Sequence, residues 1–178
     1  MLRARTAVHI GSGRGNDLTD ALVRRDATGR PFIPGTSIAG ALRALLTRLA
    51  PRLGSEPCHA LTRQEGSCKC GVCKLFGDIN PSDEPGAESA ASRIVVYDAQ
   101  LVGEDWATTI RDGVGSDRTT GTAARACGVK FDLEVIPAGS RFELRLELCD
   151  TEPEDEKLLA AGLAEWQAGR LWLGGRVA

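Results

Sequence analysis

Four cysteines at positions 58, 68, 70 and 73 are the residues of this 178-residue chain best placed to do chemistry. The segment reads Cys58-His59, eight further residues, then Cys68-Lys69-Cys70-Gly71-Val72-Cys73. Zinc takes four soft ligands in a tetrahedron, and a C-x2-C pair supplies two of them from one tight turn. Gly71 sits inside that turn, where a positive φ is often needed. Four thiolates form a closed structural centre with no position left for water. His59 is an alternative to Cys58 as the fourth ligand. The competing reading is a reduced thiol cluster without metal. Redox chemistry of the thioredoxin kind is disfavoured, because no βαβ pattern frames Cys70 and Cys73. Cys127 and Cys149 stand alone and read as small side chains.

Other chemistries find less support. Gly11-Ser12-Gly13-Arg14-Gly15 fails as G-x-G-x-x-G because position 16 is Asn, and no G-K-[ST] follows. A flexible loop carrying Arg14 can still touch phosphates through its amides. No nucleophile elbow is present. With only His9 and His59, a Ser/His/Asp triad is disfavoured.

The elements that position these residues follow from periodicity. Leu2 to Ile10 alternates as a half-buried strand. Pro31-Phe32-Ile33-Pro34-Gly35 leads into a helix that Thr36 or Ser37 can cap. Its stripe is Ile38, Ala41, Leu42, Leu45, Leu46 and Leu49, ended by Pro51 and Gly54. Arg93 to Asp98 reads as a strand. Residues 103–130 read as a long excursion rich in Gly, Thr, Arg and Asp. Phe131 to Ile136 and Arg141 to Leu148 alternate as strands around a Pro137-Ala138-Gly139 turn. A second helix spans Glu154 to Ala168, with Pro153 and acids at its start. The order suits an α+β fold, a ferredoxin-like (RRM-like) βαββαβ sandwich whose last strand is incomplete at Gly174-Gly175-Arg176-Val177-Ala178. Either the chain is truncated there or another subunit supplies the strand.

Composition bounds the class. Hydrophobic residues make up 42% of the chain, an ordinary globular share. No apolar run reaches the roughly 18 residues of a membrane span. Met1-Leu2-Arg3-Ala4-Arg5 opens no apolar signal region, so a cytoplasmic location is expected. The net charge of −2 hides an asymmetry: residues 1–52 hold nine Arg, no Lys and three Asp. Such an arginine-rich stretch suits bidentate contact with phosphate. A GC-rich genome substituting Arg for Lys gives the same composition.

Several segments then converge. They are His9-Ile10-Gly11-Ser12-Gly13, Gly29-Arg30-Pro31-Phe32-Ile33-Pro34-Gly35-Thr36-Ser37 and the small-residue helix ending Leu42-Arg43. Cys70-Gly71-Val72-Cys73-Lys74-Leu75-Phe76-Gly77, the strand ending Asp98-Ala99, Asp117-Arg118-Thr119-Thr120-Gly121-Thr122-Ala123 and Glu134-Val135-Ile136-Pro137-Ala138-Gly139 follow in order. Together they resemble the RAMP superfamily of CRISPR–Cas proteins, most closely the repeated backbone subunit of type III effector complexes. The cysteine segment resembles the zinc insert of type III-D and III-E relatives.

The resemblance implies one RAMP domain over 1–178. Its ferredoxin-like palm comprises 1–53 and 91–178, its zinc-binding insert 54–90 and its thumb β-hairpin 103–130. It implies that Ser37 and Arg43 contact a CRISPR guide RNA and that Arg111 to Lys130 wedge against RNA. Arg14, Ser37, Arg43, Arg111, Arg118 and Arg125 are then the RNA-binding candidates. It implies target-RNA cleavage by 2′-OH attack, aided by Mg²⁺ and an Asp in the first long loop. Asp20 matches by distance, nine residues before Gly29, although Asp20-Ala21-Leu22 departs from the family's Asp-x-Pro. Asp17 and Asp26 read as solvated charges. Complementary target RNA and other RAMP subunits are the implied partners. The alternatives are a non-cleaving backbone subunit, a guide-precursor processing ribonuclease with His9 as base, and a zinc-stabilised interaction domain without an RNA role.

Overall fold

The apolar stripe over 38–49 folds as the core helix of a computed structural model. That structure describes residues 1–56, 58, 68–78, 89–104, 106–117, 119–123 and 130–174. These residues form two units, one of Met1–Pro34, Asp98–Leu144 and positions 173 and 174, the other of Gly35–Tyr97 and Arg145–Trp172. The described chain mixes helices with antiparallel sheets.

The second unit is built on three helices. α1 (Gly35–Leu49) buries Ile38, Leu42, Leu45 and Leu46, four of the six positions the stripe predicts, while Ala41 and Leu49 are half-buried. It does not start at Thr36 or Ser37 as a cap. Gly35 is already helical, and it must be glycine, because a side chain there would lie 2.0 Å from the Val96 carbonyl oxygen. α2 (Gly71–Phe76) and α3 (Pro153–Gln167) pack with α1. Leu46, Val72, Leu75, Leu158 and Leu159 share one core with Ile94 of β3 (Ile94–Val96). Gly162 lets α3 approach α1 closely, since a Cβ there would sit 2.8 Å from Leu46 Cδ2. The start of α3 is fixed by Asp155, which accepts the Glu152 N–H at 3.0 Å and an Arg93 N–H at 2.7 Å. β3 pairs antiparallel with β8 (Leu146–Leu148), Val95 opposite Glu147.

The first unit holds a four-stranded antiparallel sheet. Its strands are β1 (Leu2–Arg3), β2 (Phe32–Ile33), β4 (Ala99–Leu101) and β7 (Arg141–Glu143), in the order β1-β7-β4-β2. Ile33, Ala99, Leu101 and Phe142 are buried on it, at about 1.5–3 kcal/mol for each large apolar side chain. β5 (Thr109–Val114) and β6 (Lys130–Val135) form a separate antiparallel pair, Thr109 opposite Val135 and Val114 opposite Lys130.

Two expected strands are interrupted. Leu2 to Ile10 keeps ladder pairing at Leu2 and Arg3, and again at Val8 opposite Ile136. Between them its partner turns at 137–139, where Gly139 takes φ 90°. Arg141 to Leu148 divides into β7 and β8, one in each unit.

Glu134 of β6 anchors the segment 21–25. It is buried, and its carboxylate accepts the Val23 N–H at 2.9 Å, the Thr108 hydroxyl at 2.5 Å and the Arg25 guanidinium. Arg25 also lies over the Trp106 ring, 5.0 Å from its centroid. Ala21 bridges Leu133 in parallel. Burial pushes the Glu134 carboxyl up, but the Thr108 hydroxyl, the Val23 N–H and Arg25 together hold it below its ordinary value of 4.5.

Two outcomes are expected. Leu46 is fully buried, so Leu46→Ala should lower the urea-unfolding free energy by about 2–5 kcal/mol. The Glu134 carboxyl is depressed in the folded state. Its contribution is therefore present above pH 4.5 and lost as pH falls through the folded value. Wild-type urea midpoints should fall below that pH, and Glu134→Gln should start lower at neutral pH, by about 1–3 kcal/mol, and fall less across the acid window.

Candidate metal centre and acidic loop

Cys70 caps the N-terminus of α2, and its Sγ accepts the Cys73 N–H at 3.5 Å. The C-x2-C segment is thus one helical turn, which brings residues three apart to the same side. Gly71 is the first residue of that turn and does not take the positive φ expected of it. The Sγ atoms of Cys58, Cys68, Cys70 and Cys73 all lie within 4.8 Å of one another, and those of Cys58 and Cys73 are 3.5 Å apart. Four sulfurs about 2.3 Å from a tetrahedral ion stand about 3.8 Å apart, so the group has metal-binding dimensions. It is the one such group of His, Cys, Asp or Glu among the described residues.

The surroundings of the sulfurs are apolar on one side and polar on another. Cys70 and Cys73 are buried in the core with Leu46, Val72, Leu75, Leu158 and Leu159. Burial pushes the Cys70 thiol up to about 11 and the Cys73 thiol higher still, and the neighbouring sulfurs add to both shifts. Without a cation these groups are neutral thiols at pH 7, and a soft divalent cation is what makes thiolates of them. The Cys68 N–H donates to Asp78 Oδ2 at 2.7 Å, and Arg43 Nη2 donates to Cys73 Sγ at 3.4 Å. His59, the alternative ligand, lies outside the described residues. So does Cys127, while Cys149 is exposed.

In the first unit the loop after Ile10 is a closed hairpin, not an open phosphate cradle. Ser12 N donates to Leu22 O at 2.9 Å, and Leu22 N to Arg14 O at 3.0 Å. Asn16 Oδ1 accepts the N–H groups of Leu18 and Thr19 at 3.0 and 2.7 Å and closes the turn. Gly15 is required there, because a side chain would sit 2.4 Å from the Asp20 carbonyl oxygen. Asp20 is exposed, and its Oδ2 accepts the Asp132 N–H at 2.9 Å.

Asp132 stands opposite Asp112 in the β5–β6 register. Partial burial lifts its carboxyl above the ordinary value, and the charges of Asp112 and Asp20 lift it further. The structure therefore gathers Asp20, Asp112 and Asp132 into one acidic neighbourhood, of which sequence reading found only Asp20. Register was the missing information: Asp112 and Asp132 are twenty positions apart, and nothing in their spacing aligns them.

The remaining candidates are dispersed. Arg14 is exposed on the hairpin and Arg111 is exposed on β5 opposite Leu133. By strand alternation Arg111 faces away from Asp112. Ser37 lies half-buried in the first turn of α1, and Arg43 is turned to Cys73. Arg118 and Arg125 lie outside the described residues, as do positions 175–178. His9 is buried, with Nδ1 2.7 Å from the Glu134 carbonyl oxygen. No helix of the described residues is long and apolar enough to cross a membrane.

Comparison with known proteins places these features in a family. A protein named CRISPR system Cms endoribonuclease Csm3, from Methanocaldococcus jannaschii, is 31% identical over 169 residues, covering 89% of this chain. The chain spans 64% of that relative's length. A protein of the same name from Methanothermobacter thermautotrophicus is 33% identical over 87 residues, 44% of this chain and 31% of its own length. The model of the RAMP superfamily matches residues 1–178. The chain belongs to the RAMP superfamily.

Proposed function

We propose that this chain is a guide-RNA-binding backbone subunit of a type III CRISPR effector complex that cleaves bound target RNA. The observation that carries the reading is the identity of 31%, over 89% of the chain, to a protein named as a CRISPR endoribonuclease. The palm is a ferredoxin-like domain of residues 1–53 and 91–178, the excursion 103–130 is a thumb, and 54–90 is a metal-stabilised insert. Arg14, Ser37, Arg111, Arg118 and Arg125 contact guide or target RNA by their charge and hydrogen bonds, leaving sequence readout to base pairing, whereas the Arg43 guanidinium is turned to Cys73. Guide RNA, complementary target RNA and further RAMP subunits are the partners, in the cytoplasm.

Asp20 is the residue assigned to cleavage. The ribose 2′-OH attacks the adjacent phosphorus, the P–O5′ bond breaks, the departing O5′ takes a proton from water, and a 2′,3′-cyclic phosphate and a 5′-OH result. The exposed carboxylate of Asp20 would position the hydroxyl and take its proton. If Asp20 instead held a hard cation such as Mg²⁺, that ion would supply charge stabilisation at the phosphoryl oxygens. The hairpin 11–23 and the Asp132 N–H support this role by fixing where Asp20 stands. That same hydrogen bond favours a second reading, a non-cleaving backbone subunit in which Asp20 merely pins its loop.

The test is cleavage of a labelled complementary RNA by the guide-loaded protein in Mg²⁺. Asp20→Ala should cut at least about 100-fold more slowly and bind RNA within a few-fold of wild type. Equal cutting by the variant would remove the assignment. RNA binding without cutting in either protein would leave the backbone reading.

The four sulfurs are proposed to hold one structural zinc, with Cys58, Cys68, Cys70 and Cys73 as ligands. Elemental analysis of the purified protein should give about one zinc per chain. Cys73→Ser, or prolonged chelation, should remove the metal and lower the thermal midpoint of unfolding. A metal-free protein that melts unchanged in chelator would contradict the assignment.

A further inference from the structure

We propose that Arg43 is the counter-charge of the four-sulfur centre, a positioning residue that sets how tightly the centre holds its cation. The inference rests on the metal reading above. A divalent ion held by four thiolates carries a net charge of about −2. This centre sits against Leu46, Val72, Leu75, Leu158 and Leu159, surroundings that solvate an anion poorly.

Arg43 answers that charge. It lies on α1, its side chain is half-buried, and its Nη2 is 3.4 Å from the fully buried Cys73 Sγ. The Cys73 Sγ also lies 3.5 Å from that of Cys58. The Arg43 carbonyl accepts the Thr47 hydroxyl at 2.8 Å, which ties its backbone into α1. Among the described residues Arg43 forms no ion pair with a carboxylate. A guanidinium keeps its charge when partly buried and loses little freedom on forming a hydrogen bond. Donors to the ligand atoms of metal sites typically change affinity by about 10- to 100-fold when removed.

The experiment is zinc competition between the full chain and a chromophoric chelator, with cobalt substitution to read the sulfur-to-metal absorption. The variants are Arg43→Lys, Arg43→Gln and Arg43→Met, with Lys74→Met as a control that removes a charge from an exposed position. Arg43→Met should bind zinc about 10- to 100-fold more weakly, Arg43→Gln should lie between, and Arg43→Lys should recover part of the loss. Lys74→Met should stay close to wild type. Equal affinity of Arg43→Met and wild type would overturn the proposal, as would an equal loss in Lys74→Met. If Arg43→Met does not fold, Arg43→Lys against Arg43→Gln decides: tighter binding by Lys supports the counter-charge, and equal binding overturns it. A wild-type chain that takes no zinc and shows no cobalt–sulfur band would instead overturn the metal reading itself.

Discussion

A group of four sulfurs closed within 4.8 Å, two of them buried among leucines, is the constraint on which the helical unit depends. One sulfur comes from position 58 and three from positions 68–73, ten or more residues on, and only Cys70 and Cys73 share a helical turn. As neutral thiols they are small apolar side chains of modest packing value. As ligands of one cation they would tie residue 58, the segment 68–70 and α2 to a single point. The core of Leu46, Val72, Leu75, Leu158 and Leu159 is built against that point. Such a metal tie, as proposed, would substitute for apolar area that a six-residue helix cannot bury alone.

The other unit solves a different problem, that of holding a polar loop still. β6 does this with successive residues. The Asp132 N–H takes the Asp20 carboxylate, the backbone beside Leu133 pairs with Ala21, and the Glu134 carboxylate takes the Val23 N–H and Arg25. A strand suits the task because its backbone groups recur at fixed spacing and its side chains alternate. Gly15 completes the hold by letting the opposite arm of the hairpin approach the Asp20 backbone. The result is an exposed carboxylate with a fixed position, which is what a catalytic acid or base requires.

Much of this was legible in the sequence, and the reasons are physical. The α1 stripe, the start of α3 at Pro153 and the cysteine spacing are local patterns, and each appears where periodicity or ligand spacing puts it. Family membership was legible from motifs whose order along the chain is informative even where each is weak. The long-range terms were not legible. Nothing local reveals that Gly35 meets the Val96 backbone, that Glu134 anchors the segment 21–25, or that Asp112 opposes Asp132. The alternating run 141–148 read as one strand because alternation says nothing of a change of partner. The Gly71 turn was misread because C-x2-C pairs fit a helical turn as well as a left-handed one.

The claim at the centre of this account is that one cation is held by four thiolates, Cys58 among them. X-ray absorption at the zinc edge of the purified, unmodified chain tests it without perturbing the fold. The account predicts a single shell of four sulfurs at about 2.3 Å. A shell of three sulfurs and one nitrogen near 2.0 Å would replace Cys58 by a histidine, and a shell of light atoms or no zinc at all would contradict the claim.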